Sequence, residues 1–581
     1  MIKLLRNLKP FFWQVVAVIV LVFGQSMADL NLPKLMASIV DTGIIKNDIP
    51  YIWQTGGIML AVTAGGMMCT ILASFLAARV SMGLGMNLRG LVFSKVERFS
   101  LNEFDNIGTA SLITRTTNDI TQVQMVIFIL LRMVLSAPIM VIGGVIMAVQ
   151  EDASLWWIIA GVVPLLALSV GIVARKGLPL FKSMQKKLDK LNLVSREGLT
   201  GVRVIRAFNR TEHQSGRFYE ANNDLTGTAI KVNRLMALMM PLMMFIMNIT
   251  TIAIIWFGGH RIDSGDMQVG GFMAFLQYAM QILFSLLMFA IVFVMVPRAS
   301  ASAERINQVL ETLPSIKDAE ETKKPGGLTG TIEFEDVTFG YPGAEVPAVS
   351  EVPAVSNISF KVNPGEVTAI IGGTGSGKTT LLNLILRFYD VQSGRILVDG
   401  VDIREMSQED LRSRIAFVPQ KAVLFSGSVA DNIRYGKPEA TDEELSHAAD
   451  IAQATEFITG MEGGFDAAVS QGGTNVSGGQ KQRLSIARAL IRRPEIYLFD
   501  DSFSALDFKT DAKLRAAMKR EIKEATVLII AQRVSTVMDA DRIIVLDEGR
   551  VVGIGTHRGL IKSCSVYREI VTSQLSEEEL A

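Results

Sequence analysis

Long charge-free stretches dominate the first half of the chain. Six of them contain no Asp, Glu, Lys or Arg: residues 11–28, 51–78, 133–150, 153–174, 235–259 and 267–297. Each has at least 18 residues, close to the ~20 apolar residues that a helix needs to cross the hydrocarbon core. The pattern predicts an all-α transmembrane domain over residues 1–313, with six long helices near 11–42, 51–98, 120–150, 153–200, 220–262 and 267–312.

Basic residues indicate the orientation of these helices. Lys3, Arg6 and Lys9 precede the first helix, and a long basic series from Arg175 to Arg210 follows the fourth. Because Lys and Arg accumulate on the cytoplasmic side, both termini are expected in the cytoplasm, and the bilayer itself is a partner. The connections after the second and fourth helices are long. We expect short coupling helices there, near 108–116 and 206–214, although an ordinary solvated helix turn would give the same pattern.

The second half has the alternating pattern of an α/β domain. A polar linker at 314–330 leads to a domain at 331–576, and a polar tail occupies 577–581. The hexapeptide at 345–350 recurs at 351–356, which we interpret as a tandem duplication in a surface hairpin. The fold class is therefore multidomain: six transmembrane helices followed by an α/β P-loop nucleotide-binding domain.

A glycine-rich loop between an apolar strand and a helix carries the first chemical signal. Its residues match G-x-x-x-x-G-K-[ST]: Gly372, Gly373, Thr374, Gly375, Ser376, Gly377, Lys378 and Thr379, with Thr380 after them. Glycines let backbone N–H groups approach phosphate oxygens, and Lys378 adds a positive charge. The Thr379 hydroxyl can bind Mg²⁺. The sequence therefore predicts ATP with Mg²⁺.

Two further motifs accompany this loop. Residues 496–500 form an apolar run ending in Asp500, which is placed to hold Mg²⁺. Ser477, Gly478, Gly479 and Gln480 open a helix and form a second surface suited to phosphate. One chain has one glycine loop and one such surface. If that surface serves a phosphate bound elsewhere, two domains must close face to face.

The ordered set of motifs resembles the ATP-binding cassette (ABC) domain, and the six preceding helices resemble the membrane half of an ABC exporter. The resemblance implies that Tyr341 stacks on adenine, that Gln420 approaches Mg²⁺, and that Ser504 and Asp507 in the Ser504–Asp507 segment cross a dimer interface. It also implies that Ser477–Gln480 act in trans, on ATP held by the partner's loop.

The chain departs from this family at the catalytic positions. Asp501 stands where a catalytic glutamate is usual, so its carboxylate is retracted by roughly 1.5 Å and is expected to be a weak base. Gln532 replaces the histidine that contacts the γ-phosphate, and Gln471 stands where an acidic residue is common. These departures, combined with an intact Ser477–Gln480 signature, resemble one subunit of a heterodimeric bacterial multidrug exporter, in which one of the two ATP sites is degenerate and the other competent. This chain would be the degenerate-site subunit, and its partner would be a second half-transporter. A homodimer with two slow sites is the alternative.

Composition narrows the partners and the substrate. Lys plus Arg and Asp plus Glu number 57 each, so no net charge favours nucleic acid. The two cysteines, Cys69 and Cys564, suit a reducing cytoplasm. Candidate contacts for a small hydrophobic or amphipathic substrate are Asp29, Met236, Met240, Met243 and Met247, with a structural cap or ion pair for Asp29 and plain packing for the methionines as alternatives. Export of lipid or peptide by a homodimer and an ATP-gated channel remain alternative functions.

Overall fold

The computed structural model describes residues 2–327, 329–341 and 353–575. Two compact units make up the chain. Unit 1 comprises Met1–Glu97 and Thr109–Thr312, and unit 2 comprises Arg98–Gly108 and Leu313–Ala581. A segment of eleven residues between the second and third long helices thus belongs to unit 2.

Unit 1 contains the six long helices expected from the sequence, which we call spans 1 to 6. They cover Lys3–Ile44, Ile49–Val96, Thr109–Glu151, Trp156–Thr200, Thr211–Asp263 and Val269–Glu311. At about 1.5 Å per residue, each is roughly 60 Å or longer, twice the thickness of the hydrocarbon core. The helices therefore extend well beyond the bilayer.

Spans 1, 3 and 6 pack closely through small residues. A Cβ on Gly143 would clash with Leu30 Cδ1, and one on Gly144 would lie 2.8 Å from Ile282 Cγ1. The buried Tyr278 hydroxyl donates to the Leu30 carbonyl at 2.9 Å. Without a hydrophobic drive in lipid, such close backbone approach is what holds membrane helices together.

Asp119, near the start of span 3, binds two residues near the end of span 6. Its carboxylate, 4% exposed, accepts from Ser302 Oγ at 2.8 Å and from Arg305 Nε at 2.8 Å. Arg115 Nη1 donates to the Arg305 carbonyl at 3.2 Å. The buried charge is thus compensated by an ion pair and a hydroxyl.

In the described residues of unit 2 there are twelve strands, with helices that connect and follow them. The strands are β1 Ile332–Phe339, β2 Val355–Val362, β3 Val367–Gly372, β4 Ser393–Val398, β5 Val401–Asp402, β6 Ile415–Val418, β7 Gly427–Ser428, β8 Ala468–Val469, β9 Ile496–Asp500, β10 Thr526–Ile530, β11 Arg542–Asp547 and β12 Arg550–Gly555. The helices are Lys378–Ile385, Gln408–Ser413, Val429–Arg434, Asp442–Ile451, Thr455–Thr459, Gly478–Leu490, Phe508–Glu521, Val534–Val537, His557–Ser563 and Ser565–Thr572.

The central sheet has the order β12-β11-β3-β10-β9-β6. Strands β11, β3, β10, β9 and β6 are parallel, and β12 is antiparallel at the edge. Every residue of β9 and of β10 is buried, which explains why both read as continuous apolar runs rather than alternating ones. A second, antiparallel sheet has the order β2-β1-β4-β5.

The segment of unit 2 that comes from between spans 2 and 3 is the helix Leu101–Ile107. Glu103 is buried and accepts from the backbone N–H groups of Ser100 and Ser315, at 2.9 and 3.2 Å. Tyr389 Oη donates to Asp105 Oδ2 at 2.9 Å. The sequence predicts a coupling helix at 108–116, whereas residues from Thr109 onward belong to unit 1 and already form span 3.

The second expected coupling segment, 206–214, lies in unit 1. A short helix, Val202–Ala207, is followed by a turn in which Asn209 has a φ of +53°, and span 5 begins at Thr211. Phe208 is 75% exposed and Val204 is 61% exposed. The short helix and the turn therefore each present an apolar side chain outward.

The duplicated hexapeptide falls mostly outside the described residues. Its first copy, 345–350, lies in the interval 342–352, and only 353–356 of the second copy are described. Val355 and Ser356 begin β2. Of the expected linker, residue 328 is outside the described part, as is the expected tail 577–581.

Candidate nucleotide site and membrane polar groups

Four neighbouring parallel strands end at one edge of the central sheet, and each is followed by an expected site residue. The glycine loop follows β3, Gln532 follows β10, Asp500 ends β9, and Gln420 follows β6. Because carboxyl ends of parallel strands meet at the same edge, the fold brings together residues up to 160 positions apart.

The glycine loop surrounds a cavity of about 340 Å³. Gly375 and Gly377 have φ values of +80° and +94°, a region that side chains disfavour. A Cβ on Gly377 would also lie 2.6 Å from the Ala354 carbonyl oxygen, so glycine is required there. The loop enters the helix Lys378–Ile385, whose N-terminal N–H groups face the space where phosphate would bind.

Lys378 is folded back onto this loop. Its Nζ donates to the carbonyls of Gly372 and Gly373 at 2.9 and 2.6 Å. Burial lowers the pKa of Lys378, and the nearby Asp501 and Asp500 carboxylates oppose that shift. The ammonium is thus held ready for an anion in a partly dry site.

The residues expected to hold Mg²⁺ are already paired. Thr379 Oγ1 donates to Asp500 Oδ1 at 3.1 Å. Burial raises the pKa of Asp500, with a smaller contribution from the Asp501 charge, while the Thr379 hydrogen bond lowers it. An accessible hydroxyl paired with a buried, destabilised carboxylate beside a phosphate loop fits a divalent cation, which would neutralise phosphate charge when bound.

Asp501 is held by two glutamines at a single oxygen. Gln532 Nε2 donates to Asp501 Oδ2 at 3.1 Å, and Gln420 Nε2 donates to the same atom at 3.3 Å. The residue is 8% exposed and has a φ of +45°, in the left-handed region. The two amides therefore fix the position of the carboxylate.

Tyr341 stands at the mouth of the cavity. It is 39% exposed, and its hydroxyl lies 3.0 Å from Thr380 Oγ1. Its ring packs edge-on against Phe339 and Tyr389, with centroids 5.1 and 5.2 Å apart. A partly exposed ring fixed at its hydroxyl end is suited to stacking on a flat ligand.

The signature residues form a second, separate surface of unit 2. Ser477 Oγ accepts from Gln480 N at 3.3 Å, and Gln480 Oε1 accepts from Ser477 N at 2.8 Å, a reciprocal cap on the helix Gly478–Leu490. Of the described residues that line the glycine-loop cavity, none belongs to the signature. Within this chain the two phosphate-type surfaces are therefore distinct.

The expected interface segment, Ser504–Asp507, is hydrogen-bonded to the backbone of Asp501. Ser504 Oγ donates to the Asp501 carbonyl at 2.9 Å, and Arg533 Nη2 donates to the Ser504 carbonyl at 3.0 Å. Asp507 caps the helix Phe508–Glu521 by accepting from Thr510 N at 3.0 Å. A movement of this segment would therefore displace the Asp501 backbone.

The four methionines of span 5 do not share one environment. Met243 is buried with Leu166, Ile246 and Leu283, and Met247 packs against that cluster. Met240 is 57% exposed, and Met236 is intermediate. Packing accounts for the first two, which leaves Met240 as the freest of the set.

Asp29 lies well inside span 1 rather than at its polar end. It is 12 residues before Asp41, which caps span 6 by accepting from Gly270 N at 2.6 Å, so Asp29 is about 18 Å inward from that polar level. Its carbonyl accepts from Gln281 Nε2 at 3.3 Å. Among the described residues it has no ion pair within 4.0 Å.

Arg132 is a polar group that sequence reasoning missed. It immediately precedes the charge-free window 133–150, and that position at the edge of a window was the available signal. Arg132 Nη1 donates to the Thr70 carbonyl of span 2 at 3.3 Å and to Gln25 Oε1 of span 1 at 3.5 Å. The guanidinium therefore lies between helices rather than on the outer surface.

Comparison with known proteins agrees with this architecture. Residues 15–286 match the family described as ABC transporter transmembrane region, and residues 355–504 match the family described as ABC transporter. An uncharacterized ABC transporter ATP-binding protein of Mycobacterium tuberculosis is 43% identical over 99% of this chain and 98% of its own length. A fatty acid ABC transporter ATP-binding/permease protein of Mycobacterium bovis is 35% identical over 84% of this chain and 75% of its own.

The solved structures include a chain of similar shape. A bacterial Atm1-family ABC exporter with ATP bound superposes with a TM-score of 0.81, at 25% identity, over 97% of this chain and 98% of that one.

Proposed function

Because this chain belongs to the ABC transporter family, as an exporter half-transporter with an ABC ATPase domain, we propose that it is the degenerate-site subunit of a heterodimeric exporter. In this proposal the pair moves hydrophobic or amphipathic compounds, drugs among them, out across the cytoplasmic membrane. Both termini lie in the cytoplasm. The chain binds ATP and Mg²⁺ at its own loop and lends its signature to the competent site of the partner.

The observation that best supports this proposal is that two glutamine side chains donate hydrogen bonds to the Asp501 carboxylate. A general base needs a free lone pair within reach of the water it activates. Asp501 Oδ2 accepts from both Gln420 and Gln532, so the shorter side chain is also tied back. The two amides occupy the lone pairs of this oxygen and hold the carboxylate in one orientation, which restricts its reach toward an attacking water.

Gln532 also removes the ionisable histidine contact that the family makes with the γ-phosphate. A histidine there can donate while charged, whereas a glutamine amide is always neutral. Both changes fall on the site formed by this chain's own loop. The signature, by contrast, retains its full reciprocal cap at Ser477 and Gln480.

Two short segments are the proposed couplers. Leu101–Ile107, covalently joined to spans 2 and 3, belongs to unit 2 through Glu103 and Tyr389. The short helix Val202–Ala207 exposes Val204, and the turn that follows it exposes Phe208, so both side chains are available for contact with another surface. Their positions at the long connections support transmission of nucleotide-domain closure to the spans.

A homodimeric exporter of lipid-like compounds is the second candidate. It is favoured by the 35% identical relative, which is named as a fatty acid transporter. The two candidates differ in whether this chain hydrolyses ATP by itself.

The test is ATPase activity of the full chain purified alone, compared with the same chain co-purified with a second ABC half-transporter from the same organism. The proposal expects negligible turnover alone and strong turnover in a one-to-one complex. In that complex, replacing the partner's catalytic carboxylate by an amide should abolish turnover, whereas Asp501→Asn in this chain should change it little. Robust turnover by this chain alone would overturn the proposal in favour of the homodimer.

A gain-of-function variant sharpens the test. Asp501→Glu combined with Gln532→His restores the longer carboxylate and the ionisable contact, and it should raise turnover of the pair severalfold. Ser563→Ala, which removes an exposed hydroxyl from the helix His557–Ser563 and leaves the glycine-loop cavity unchanged, is the control. Unchanged turnover in the double variant, with ATP binding retained, would refute this account of the defect.

A further inference from the structure

The sequence places very few charges at hydrocarbon depth in the six spans. Between the polar ends of the helices, no acidic residue occurs from 49 to 96, from 120 to 150, from 153 to 188, from 225 to 262 or from 267 to 303. Asp29 is the acidic residue of span 1 at that depth. Charges inside a membrane are costly and usually functional, so each one at this depth calls for a counterpart.

Arg132 lies in the inner half of the membrane. It is 19 residues before span 3 ends at Glu151, about 28 Å along the helix axis. Gln25, which it contacts, is 16 residues before Asp41, about 24 Å inward. With a hydrocarbon core of ~30 Å, both estimates put the guanidinium at the depth of the inner leaflet.

The guanidinium has little to compensate its charge. Its acceptors are one carbonyl and one amide oxygen, at 3.3 and 3.5 Å, both long for hydrogen bonds to a cation. Within the part of the chain that the structure describes, no carboxylate lies within 4.0 Å of it, Asp29 included. Five N–H donors with two weak acceptors have unused hydrogen-bonding capacity, which matches a bidentate anion.

The backbone at Arg132 is also irregular. Residues Leu130–Val134 form a π-helical turn within span 3, and Pro138, which has no N–H, leaves the Val134 carbonyl without its usual partner. Such turns occur frequently at functional sites. Here the turn carries an arginine that reaches between spans 1 and 2.

We propose that Arg132 is the anion-binding residue of the substrate site, and that the exported compound is an amphipath with a carboxylate or phosphate head group taken from the inner leaflet. Gln25 supports the guanidinium from span 1. This inference rests on the proposed export function and adds the substrate's charge. A head group at this depth leaves its acyl chain among the apolar side chains farther along the spans.

The test measures binding and needs neither transport nor ATP turnover. The full chain in nanodiscs of neutral phosphatidylcholine is titrated with radiolabelled oleate, and separately with uncharged monoolein of the same chain length. Wild type should prefer oleate at a pH where the fatty acid is ionised. Arg132→Gln should weaken oleate binding about tenfold, Arg132→Lys about threefold, and monoolein binding should not change in either variant.

Arg175→Gln is the matched control. Arg175 lies 19 residues after span 4 begins at Trp156, hence at the same depth, but it is exposed. The control should bind oleate as wild type does. An equal loss in both arginine variants would indicate a general surface charge effect and overturn the proposal.

Two further binding measurements determine which kind of anion binds and whether Asp29 is paired with Arg132. Inorganic phosphate at millimolar concentration should not displace oleate; if it does, the site takes free anions rather than amphipaths and the proposal fails. Asp29→Asn should keep or strengthen oleate binding. The same loss in Asp29→Asn as in Arg132→Gln would identify an internal charge pair and refute an anion site. Because binding is read directly, a failure of heterodimeric export would leave these outcomes unaffected.

Discussion

The hydrogen bond between Tyr389 and Asp105 is a discrete link between the Leu101–Ile107 helix and the nucleotide-binding fold. Tyr389 is 7% exposed, its hydroxyl lies 2.9 Å from Asp105 Oδ2, and its ring touches Tyr341. Burial, with the Asp105 charge, raises the pKa of Tyr389, so the hydroxyl remains a donor throughout the physiological range. We predict that Tyr389→Phe loosens the helix without unfolding unit 2.

The magnitude follows from the surroundings of the two partners. A hydrogen bond to a charged acceptor contributes about 1.5–3 kcal/mol when protected from water. Asp105 is exposed, so solvent screening reduces this to about 1 kcal/mol, a roughly fivefold shift in the docking equilibrium. The ring itself stays packed in Tyr389→Phe, which confines the loss to the hydroxyl.

Hydrogen exchange of the peptide covering residues 99–108 is the direct assay. Tyr389→Phe and Asp105→Ala should each accelerate exchange a few fold, and the double variant should be no faster than the singles, since the same bond is lost. Tyr435→Phe, at a tyrosine that is 65% exposed, is the control and should change nothing. In the assembled pair, substrate-stimulated ATPase should fall while basal ATPase persists. Fully additive effects on exchange would show that the two residues act independently and would refute this reasoning.

Three further predictions concern other charged and capping groups. Arg305→Ala should leave the buried Asp119 carboxylate with one hydroxyl donor and lower local stability by about 2 kcal/mol, less than for a fully buried pair because Arg305 is 45% exposed. Hydrogen exchange in Arg115–Asp119 should then rise about thirtyfold, and protection equal to that of wild type would contradict this prediction. Asp500→Asn should raise the melting temperature of the nucleotide-free protein at pH 8, because burial raises the pKa of Asp500 and stability is lost as pH rises through that value. The gain should disappear toward pH 4, and MgATP should no longer stabilise the variant; identical melting at both pH values would argue against it. Ser477→Ala should cost about 1 kcal/mol as a lost helix cap, yet reduce ATPase of the pair far more than folding; a loss of activity only in proportion to unfolding would deny the signature a role in trans.

The sequence by itself determined the features that depend on local pattern. Six apolar windows correspond to six long helices, because a membrane helix must satisfy its own backbone and needs only length and hydropathy. Buried parallel strands read as apolar runs, so the ends of β3 and β9, and with them the positions of Lys378 and Asp500, follow from the local pattern alone. The family resemblance added the roles expected of those residues.

Only the tertiary structure decided which residues distant in sequence hydrogen-bond to the same atom. Gln420, Asp501 and Gln532 meet at one carboxylate oxygen because β6, β9 and β10 lie side by side, an order that no local pattern encodes. The helix Leu101–Ile107 belongs to unit 2 through bonds to residues more than 200 positions away, which is why the local pattern predicts a coupling segment several residues later. Arg132 was hidden for the same physical reason: its significance lies in what surrounds it between spans 1 and 2, and composition along span 3 carries no information about neighbouring helices.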